Sequence, residues 1–207
     1  MRDRQRHWEA IYQRTTPENL SWYQNETLVS SELIASVCLS REAAVIDVGG
    51  GASVLVDWLI REGYRDITVL DISPAALAAS RTRLGNLAVD VTWREADVTL
   101  YEPKQQHSLW HDRAVFHFLT EASDSEKYRE VLKRSVLPGG DVIVATFGFD
   151  GPKRCSGLEV VRYDAESLAA EFGPAFRLLH VRHEVHRTPQ LMEQQFTYCH
   201  LRRVSTS

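Results

Sequence analysis

A doubly wound α/β fold is what this sequence predicts: a mostly parallel sheet of seven strands with an antiparallel C-terminal hairpin and helices on both faces. Three observations point to it. Short apolar runs of strand type alternate with amphipathic helical segments after about residue 44. A glycine turn, Gly49-Gly50-Gly51, closes the first run and leads into a helix. The last two strand-like segments have no helix between them, so they should pair antiparallel.

The elements follow in order. Residues 1–43 read as a cap or lid preceding the main domain, with Leu28, Leu33, Ile34 and Val37 marking one leading helix. Residues 44–207 read as the domain proper, and the chain forms one domain overall. Ala44 to Val48 is a buried strand, and Ser53 to Arg61 is a helix with Val54, Leu55, Trp58 and Leu59 at helical spacing. Ile67 to Asp71 is the second strand. Ser73-Pro74 then caps and opens a helix that Gly85 stops. Val89 to Trp93 and Ser108 to Val115 are the third and fourth strands, and Ser125 to Ser135 is a helix. Pro138-Gly139-Gly140 is a turn before a fifth strand, Asp141 to Phe147. Asp164 caps a helix that ends at Gly173-Pro174. Phe176 to Val185 and Gln195 to Val204 complete the set.

Composition narrows the partners. The 207 residues carry a formal charge of -4, with 43% apolar and 25% charged side chains and no basic run. That profile suits a globular protein and argues against nucleic acid or an anionic membrane as partner. Met1-Arg-Asp-Arg-Gln-Arg6 is followed by no apolar stretch, so neither a signal peptide nor a spanning helix is expected. Cys38, Cys155 and Cys199 are too few and too scattered for a disulfide framework, which fits the cytoplasm. His180, His183, His186, Cys199 and His200 match no usual metal-ligand spacing, so no metal is expected.

In an open α/β sheet, ligands bind outside the carboxyl ends of the strands at the switch point. Three acidic residues stand there. Asp47 precedes the glycine turn, Asp71 ends the second strand, and Asp97 follows the third. A carboxylate at Asp71 can accept both ribose hydroxyls of an adenosine, and Asp97 with the Val98 amide can meet an adenine edge. A dinucleotide fingerprint needs a third glycine, and Val54 stands where it would fall. Asp47 beside the turn suits a cationic ligand rather than a pyrophosphate.

These segments resemble the motifs of class I S-adenosylmethionine-dependent methyltransferases. Val45-Ile-Asp-Val-Gly-Gly-Gly51, Val69-Leu-Asp-Ile-Ser-Pro74, Glu95-Ala-Asp-Val98 and Leu137-Pro-Gly-Gly140 carry the resemblance, which spans residues 20–205. The family's first motif usually ends in another glycine, and Ser53 stands there instead, where it can cap the helix. The resemblance implies S-adenosyl-L-methionine as cofactor, with S-adenosyl-L-homocysteine as product. Asp47 and Gly49, with Gly50, Gly51 and Ser53 in the turn, would hold the methionine part. Asp71 would take the ribose, Ile72 the adenine face, and Asp97 with Val98 the adenine edge.

The acceptor side is carried by His111-Asp112-Arg113 at the exit of the fourth strand. His111 is the candidate general base. Asp112 would orient it or a substrate amine, and Arg113 would grip an acceptor carboxylate. The equal alternative is an internal Asp–Arg pair beside a histidine that only packs on the cofactor. Trp22 and Tyr23 either lid the sulfonium or seal the leading helix onto the sheet. The loop Gly148 to Gly157 should border the acceptor pocket. The expected function is methyl transfer to a small molecule by in-line displacement, in a monomer or homodimer. Protein lysine is the alternative acceptor, since Asp112-Arg113-Ala114 falls where lysine methyltransferases carry Asp-Lys-Gly. A non-catalytic adenosyl-ligand protein and a nicotinamide oxidoreductase are the remaining readings.

Overall fold

Strand polarity and side-chain alternation settle how the layers form in the computed structural model, which describes residues 2–205. The parallel strands are β1 (Val45–Val48), β2 (Ile67–Asp71), β3 (Val91–Glu95), β4 (His107–Arg113) and β5 (Val136–Phe147). After β5 come a short hairpin, β6 (Arg154–Cys155) and β7 (Leu158–Glu159), and the long strands β8 (Phe176–Arg187) and β9 (Glu193–Arg203). The main sheet has seven strands in the order β3-β2-β1-β4-β5-β9-β8. β9 runs antiparallel to β5 and β8 antiparallel to β9. The predicted fold class is therefore the observed one.

The helices are α1 (Arg2–Arg14), α2 (Leu28–Val37), α3 (Leu55–Arg61), α4 (Pro74–Leu84), α5 (Ala122–Ser135) and α6 (Ala165–Phe172). Successive strand residues point to opposite faces. Ile46, Val48, Trp110, Val142 and Val144 pack with Tyr128 and Leu132 of α5 and Leu168 and Phe172 of α6. Val45, Val69, Leu109, Ile143 and Ala145 pack with Ile34 of α2, Leu55 and Leu59 of α3 and Leu77 of α4. Burying each such side chain contributes about 1.5–3 kcal/mol, enough in sum to hold both layers. The same alternation sends Asp47 and His111 towards α2, and Asp112 towards α5.

Several boundaries differ from the sequence reading. Residues ahead of the sheet form two helices rather than one, because Trp8, Ile11 and Tyr12 make α1 amphipathic despite its charged start. The third strand begins at Val91, since residues 85–90 form a 3-10 turn that leaves Val89 exposed. The fourth runs from His107 to Arg113. Pro138-Gly139-Gly140 is a bulge inside β5: the pairing skips from Val136 opposite His107 to Asp141 opposite Leu109. The predicted loop 148–157 contains β6 and the turn to β7. Asp164 caps α6 with a reciprocal Ser167 bond, and Gly173 ends it, as the sequence indicates. Among the described residues no helix is long and apolar enough to cross a membrane.

Candidate active site

The strand order reverses between β1 and β4, and their carboxyl ends open a crevice there. Asp47 lies opposite His111 and Val48 opposite Asp112. The turn after β1 needs its glycines for space. Gly49 has φ +68°, and a Cβ there would meet Val115 Cγ2 at 2.1 Å. A Cβ on Gly50 would meet Asp47 Oδ2 at 2.2 Å, and one on Gly51 would meet Asp71 Oδ2 at 2.5 Å. The turn is thus pressed against both carboxylates. Ser53 Oγ accepts from the Leu55 amide at 3.1 Å at the start of α3.

Two chambers adjoin the crevice. The larger is lined by Asp71, Ile72, Asp97 and Val98, by Arg4, Trp8 and Tyr12 of α1, and by Trp22, Phe118, Phe147 and Cys155. The smaller is lined by Asp47, Gly50, Ser53, His111, Ser30 and Tyr23. Tyr12, Trp22, Val48, Gly49 and Arg113 line both and mark where they join. Of the residues singled out in the sequence, Gly51 and Asp112 line neither chamber and stand behind the wall.

Asp71 accepts from the Gly51 amide at 3.0 Å and the Ser73 amide at 2.8 Å, one bond on each oxygen. Each oxygen keeps acceptor capacity towards the chamber. Burial pushes this carboxyl up to about 6, with the two amides opposing the shift and Asp47's charge adding to it. Asp97 Oδ1 accepts from the Thr99 amide and hydroxyl at 2.9 and 2.7 Å. Its Oδ2 faces Arg4 Nη1 at 3.4 Å, and Arg4 also pairs with Asp124.

Asp47 is 2% exposed, and among the described residues nothing hydrogen-bonds its Oδ2. Its Oδ1 accepts from His111 Nδ1 at 2.7 Å, and His111 Nε2 meets Ser30 Oγ at 2.9 Å. A neutral imidazole has one N–H and one lone pair, and both are committed here. His111, 3% exposed, holds Asp47 in place and has no free nitrogen for a substrate proton. That geometry departs from the general-base expectation.

Asp112 and Arg113 do not pair with each other. Asp112 accepts from the Val115 and Phe116 amides at 2.8 and 3.2 Å and from the Tyr128 hydroxyl at 2.6 Å. It therefore shapes the turn after β4, in which Ala114 takes φ 73°. That left-handed conformation costs a non-glycine residue on the order of 1 kcal/mol. Arg113 donates to Tyr198 Oη at 2.9 Å, to the Trp22 carbonyl at 3.2 Å and to Glu184 Oε2 at 3.3 Å. Its guanidinium lies 4.1 Å from the Phe196 ring centroid. Three of the five N–H donors of the guanidinium are thereby committed within the protein.

The sequence reading missed the α1 wall and Ser30. Arg4, Trp8 and Tyr12 sit four residues apart on one helical face, a spacing visible in the sequence. Trp8 packs edge-on to Trp22 at 5.7 Å and Phe118 at 4.9 Å. Among the described residues no group of three or more His, Cys, Asp or Glu side chains could hold a metal ion. His200 Nε2 instead donates to Asp141 Oδ1, and His186 Nε2 to the Ser21 carbonyl.

Comparisons with known proteins agree with this geometry. Residues 45–140 match a family model described as a methyltransferase domain. No curated protein matches the chain. Its fold is similar to a structure solved in work on converting a disulfide bond into a thioacetal group during echinomycin biosynthesis: TM-score 0.80, 17% identity, covering 99% of this chain and 94% of that one. It is also similar to the N-methyltransferase NodS from Bradyrhizobium japonicum WM9 with S-adenosyl-L-homocysteine: TM-score 0.69, 12% identity, covering 94% and 97%. A third is the Burkholderia thailandensis 1,6-didemethyltoxoflavin-N1-methyltransferase, with 1,6-didemethyltoxoflavin and S-adenosylhomocysteine bound: TM-score 0.68, 19% identity, covering 86% and 78%.

Proposed function

We propose that this chain, whose residues 45–140 match a methyltransferase-domain family model, is an S-adenosyl-L-methionine-dependent methyltransferase of the class I type that methylates a small molecule held between α1 and the switch point. The observation that carries the reading is the pair of joined chambers with a buried carboxylate prepared in each. Asp71 offers both oxygens to a ribose from a frame of two backbone amides. Ile72 and Val98 flank the adenine, and Asp97 stands at its edge. The unpartnered Asp47 Oδ2 suits the ammonium of the methionine part, because a buried carboxylate oxygen gains most from a charged donor. Gly49, Gly50 and Ser53 line the same chamber, with Tyr23 across from them. The residues present therefore fit the cofactor.

The cofactor supplies an activated methyl group on a sulfonium. The chain supplies alignment and exclusion of water. Trp22 and Tyr12 stand where the chambers join and give a cation aromatic faces. The aromatic walls at Trp8, Trp22 and Phe118 favour a small flat acceptor over the flexible side chain of a lysine on a folded protein. Solved proteins of this fold that bear on 1,6-didemethyltoxoflavin and glycopeptides are in keeping with that choice.

Calorimetry tests the reading. S-adenosylhomocysteine should bind and NADH should not. Asp71→Ala should weaken S-adenosylhomocysteine about 100-fold or more, the loss of two hydrogen bonds to a charged group. The pH dependence has a definite sign. Above about pH 6 Asp71 is a carboxylate and accepts both hydroxyls. As pH falls through that value one oxygen gains a proton, an acceptor is lost, and affinity should drop. Asp71→Asn should abolish that step. Wild-type affinity in Asp71→Ala would remove the ribose assignment.

A further inference from the structure

The acceptor end of the larger chamber has aromatic walls, and among the described residues the carboxylates of that chamber are Asp71 and Asp97, both assigned to the cofactor. Trp8, Trp22, Phe118 and Phe147 form the walls, with Cys155 and Ala114 between them. Among the described residues, the charged groups that line either chamber are already engaged or are assigned to the cofactor, and Tyr12, Tyr23 and Cys155 are the other titratable side chains there. Arg4 pairs with Asp97 and Asp124, and Arg113 with Glu184 and Tyr198. His111 is held between Asp47 and Ser30. Burial, with Asp71's charge behind it, pushes the Tyr12 hydroxyl well up, and burial raises the Cys155 thiol. His117, behind the wall, accepts from the Phe147 amide at 3.2 Å, and burial drives its imidazole down to about 3. Tyr23 lines only the methionine-side chamber.

We propose that the acceptor is a neutral aromatic or thioether-type nucleophile that keeps its lone pair without losing a proton, such as a heteroaromatic imine nitrogen or a thioether sulfur. This rests on the cofactor assignment above. The acceptor's lone pair forms the bond to the methyl carbon, and the electrons of the breaking carbon–sulfur bond return to the cofactor sulfur. The cofactor becomes neutral and the acceptor becomes a cation. No proton is released, and no base is needed. The positive charge moves a few ångströms within one aromatic enclosure, whose ring faces attract it at both ends. A hydroxyl or ammonium acceptor would have to shed a proton, and among the described residues the carboxylates that line the chamber are those assigned to the cofactor.

The product-like cation supplies the probe. The protein is first saturated with S-adenosylhomocysteine; failure at that step sinks the cofactor reading and this proposal with it, whereas failure at the next step alone sinks only this proposal. It is then titrated with 1-methylquinolinium, with its uncharged isostere 1-methylnaphthalene, and with 2-naphthol. The cation should bind at least about threefold more tightly than the hydrocarbon. Trp8→Leu should reduce that ratio while leaving the hydrocarbon bound. Any bound 2-naphthol should keep the absorption of its neutral form. The proposal is overturned if the cation fails to bind or binds no better than the hydrocarbon. Appearance of the naphtholate spectrum at neutral pH, which would reveal a base, also overturns it.

Discussion

At the scale of single residues the site is governed by what each carboxylate has left over after its internal bonds. Asp112 has nothing to spare and serves the turn after β4. Asp71 has one acceptor position on each oxygen, and Asp47 has a whole oxygen. The Ser30–His111–Asp47 chain decides where that oxygen points. His111 bridges Ser30 and Asp47: the carboxylate only accepts, so Nδ1 donates to it and Nε2 accepts from the Ser30 hydroxyl. Ser30→Ala should lower affinity for S-adenosylhomocysteine by roughly tenfold, the scale of one buried hydrogen bond. It should leave 5′-methylthioadenosine unaffected, because that ligand lacks the amino-acid end. Equal losses for the two ligands would mean general unfolding of the pocket and not misplacement of Asp47.

At the scale of elements α1 is the part that turns an open crevice into a chamber. Its face at Arg4, Trp8 and Tyr12 closes the cavity, and Glu9 fastens it to the N-terminus of α4. Glu9 accepts from the Ser73 hydroxyl at 2.6 Å and the Ala75 amide at 3.0 Å. Burial works against its charge, yet those bonds outweigh it and hold its carboxyl below the usual range. The helix dipole of α4 favours the same placement. Glu9→Ala should lower stability by about 1 kcal/mol, as loss of a helix cap does, read from urea unfolding. It should also speed release of S-adenosylhomocysteine in a stopped-flow chase, since α1 then loses its tie. An unchanged release rate would show that the aromatic contacts of Trp8 alone hold the helix down.

At the scale of the whole molecule one buried cluster ties every layer to the site. Arg113 of β4 meets Glu184 of β8, Tyr198 of β9 and the backbone at Trp22. Glu184 also accepts from Tyr198 at 2.8 Å and from Gln24 at 2.6 Å. The C-terminal hairpin thereby braces the N-terminal cap across the crevice mouth. Breaking a buried ion pair leaves an uncompensated charge, so Glu184→Ala should cost about 3 kcal/mol or more in denaturant unfolding. A loss below about 1 kcal/mol would mean that water reaches Arg113 in the variant. The sequence reading had Arg113 available for a ligand because a residue 71 positions away along the chain is invisible to local pattern. Glu184 lies in an exposed-looking, polar stretch of β8, and only hairpin pairing brings it inward.

Local chemistry was enough, from the sequence alone, for the order of the seven main-sheet strands, the caps at Ser73 and Asp164, and the three acidic strand ends around the glycine turn. Those features follow from periodicity, capping and the close approach that Gly49 to Gly51 permit, all of which act over a few residues. The grouping of Asp47, Asp71 and the glycine turn was legible for that reason. Tertiary structure decided what the same side chains are free to do. Side-chain alternation sent His111 to Ser30 and Asp112 to Tyr128, so neither of two adjacent residues keeps a free group for the acceptor. Folding of α1 over the sheet made the aromatic chamber, because its apolar face could be buried nowhere nearer. Pairing between residues far apart in the chain, which no local pattern encodes, thus sets the hydrogen-bond partners of His111, Asp112 and Arg113.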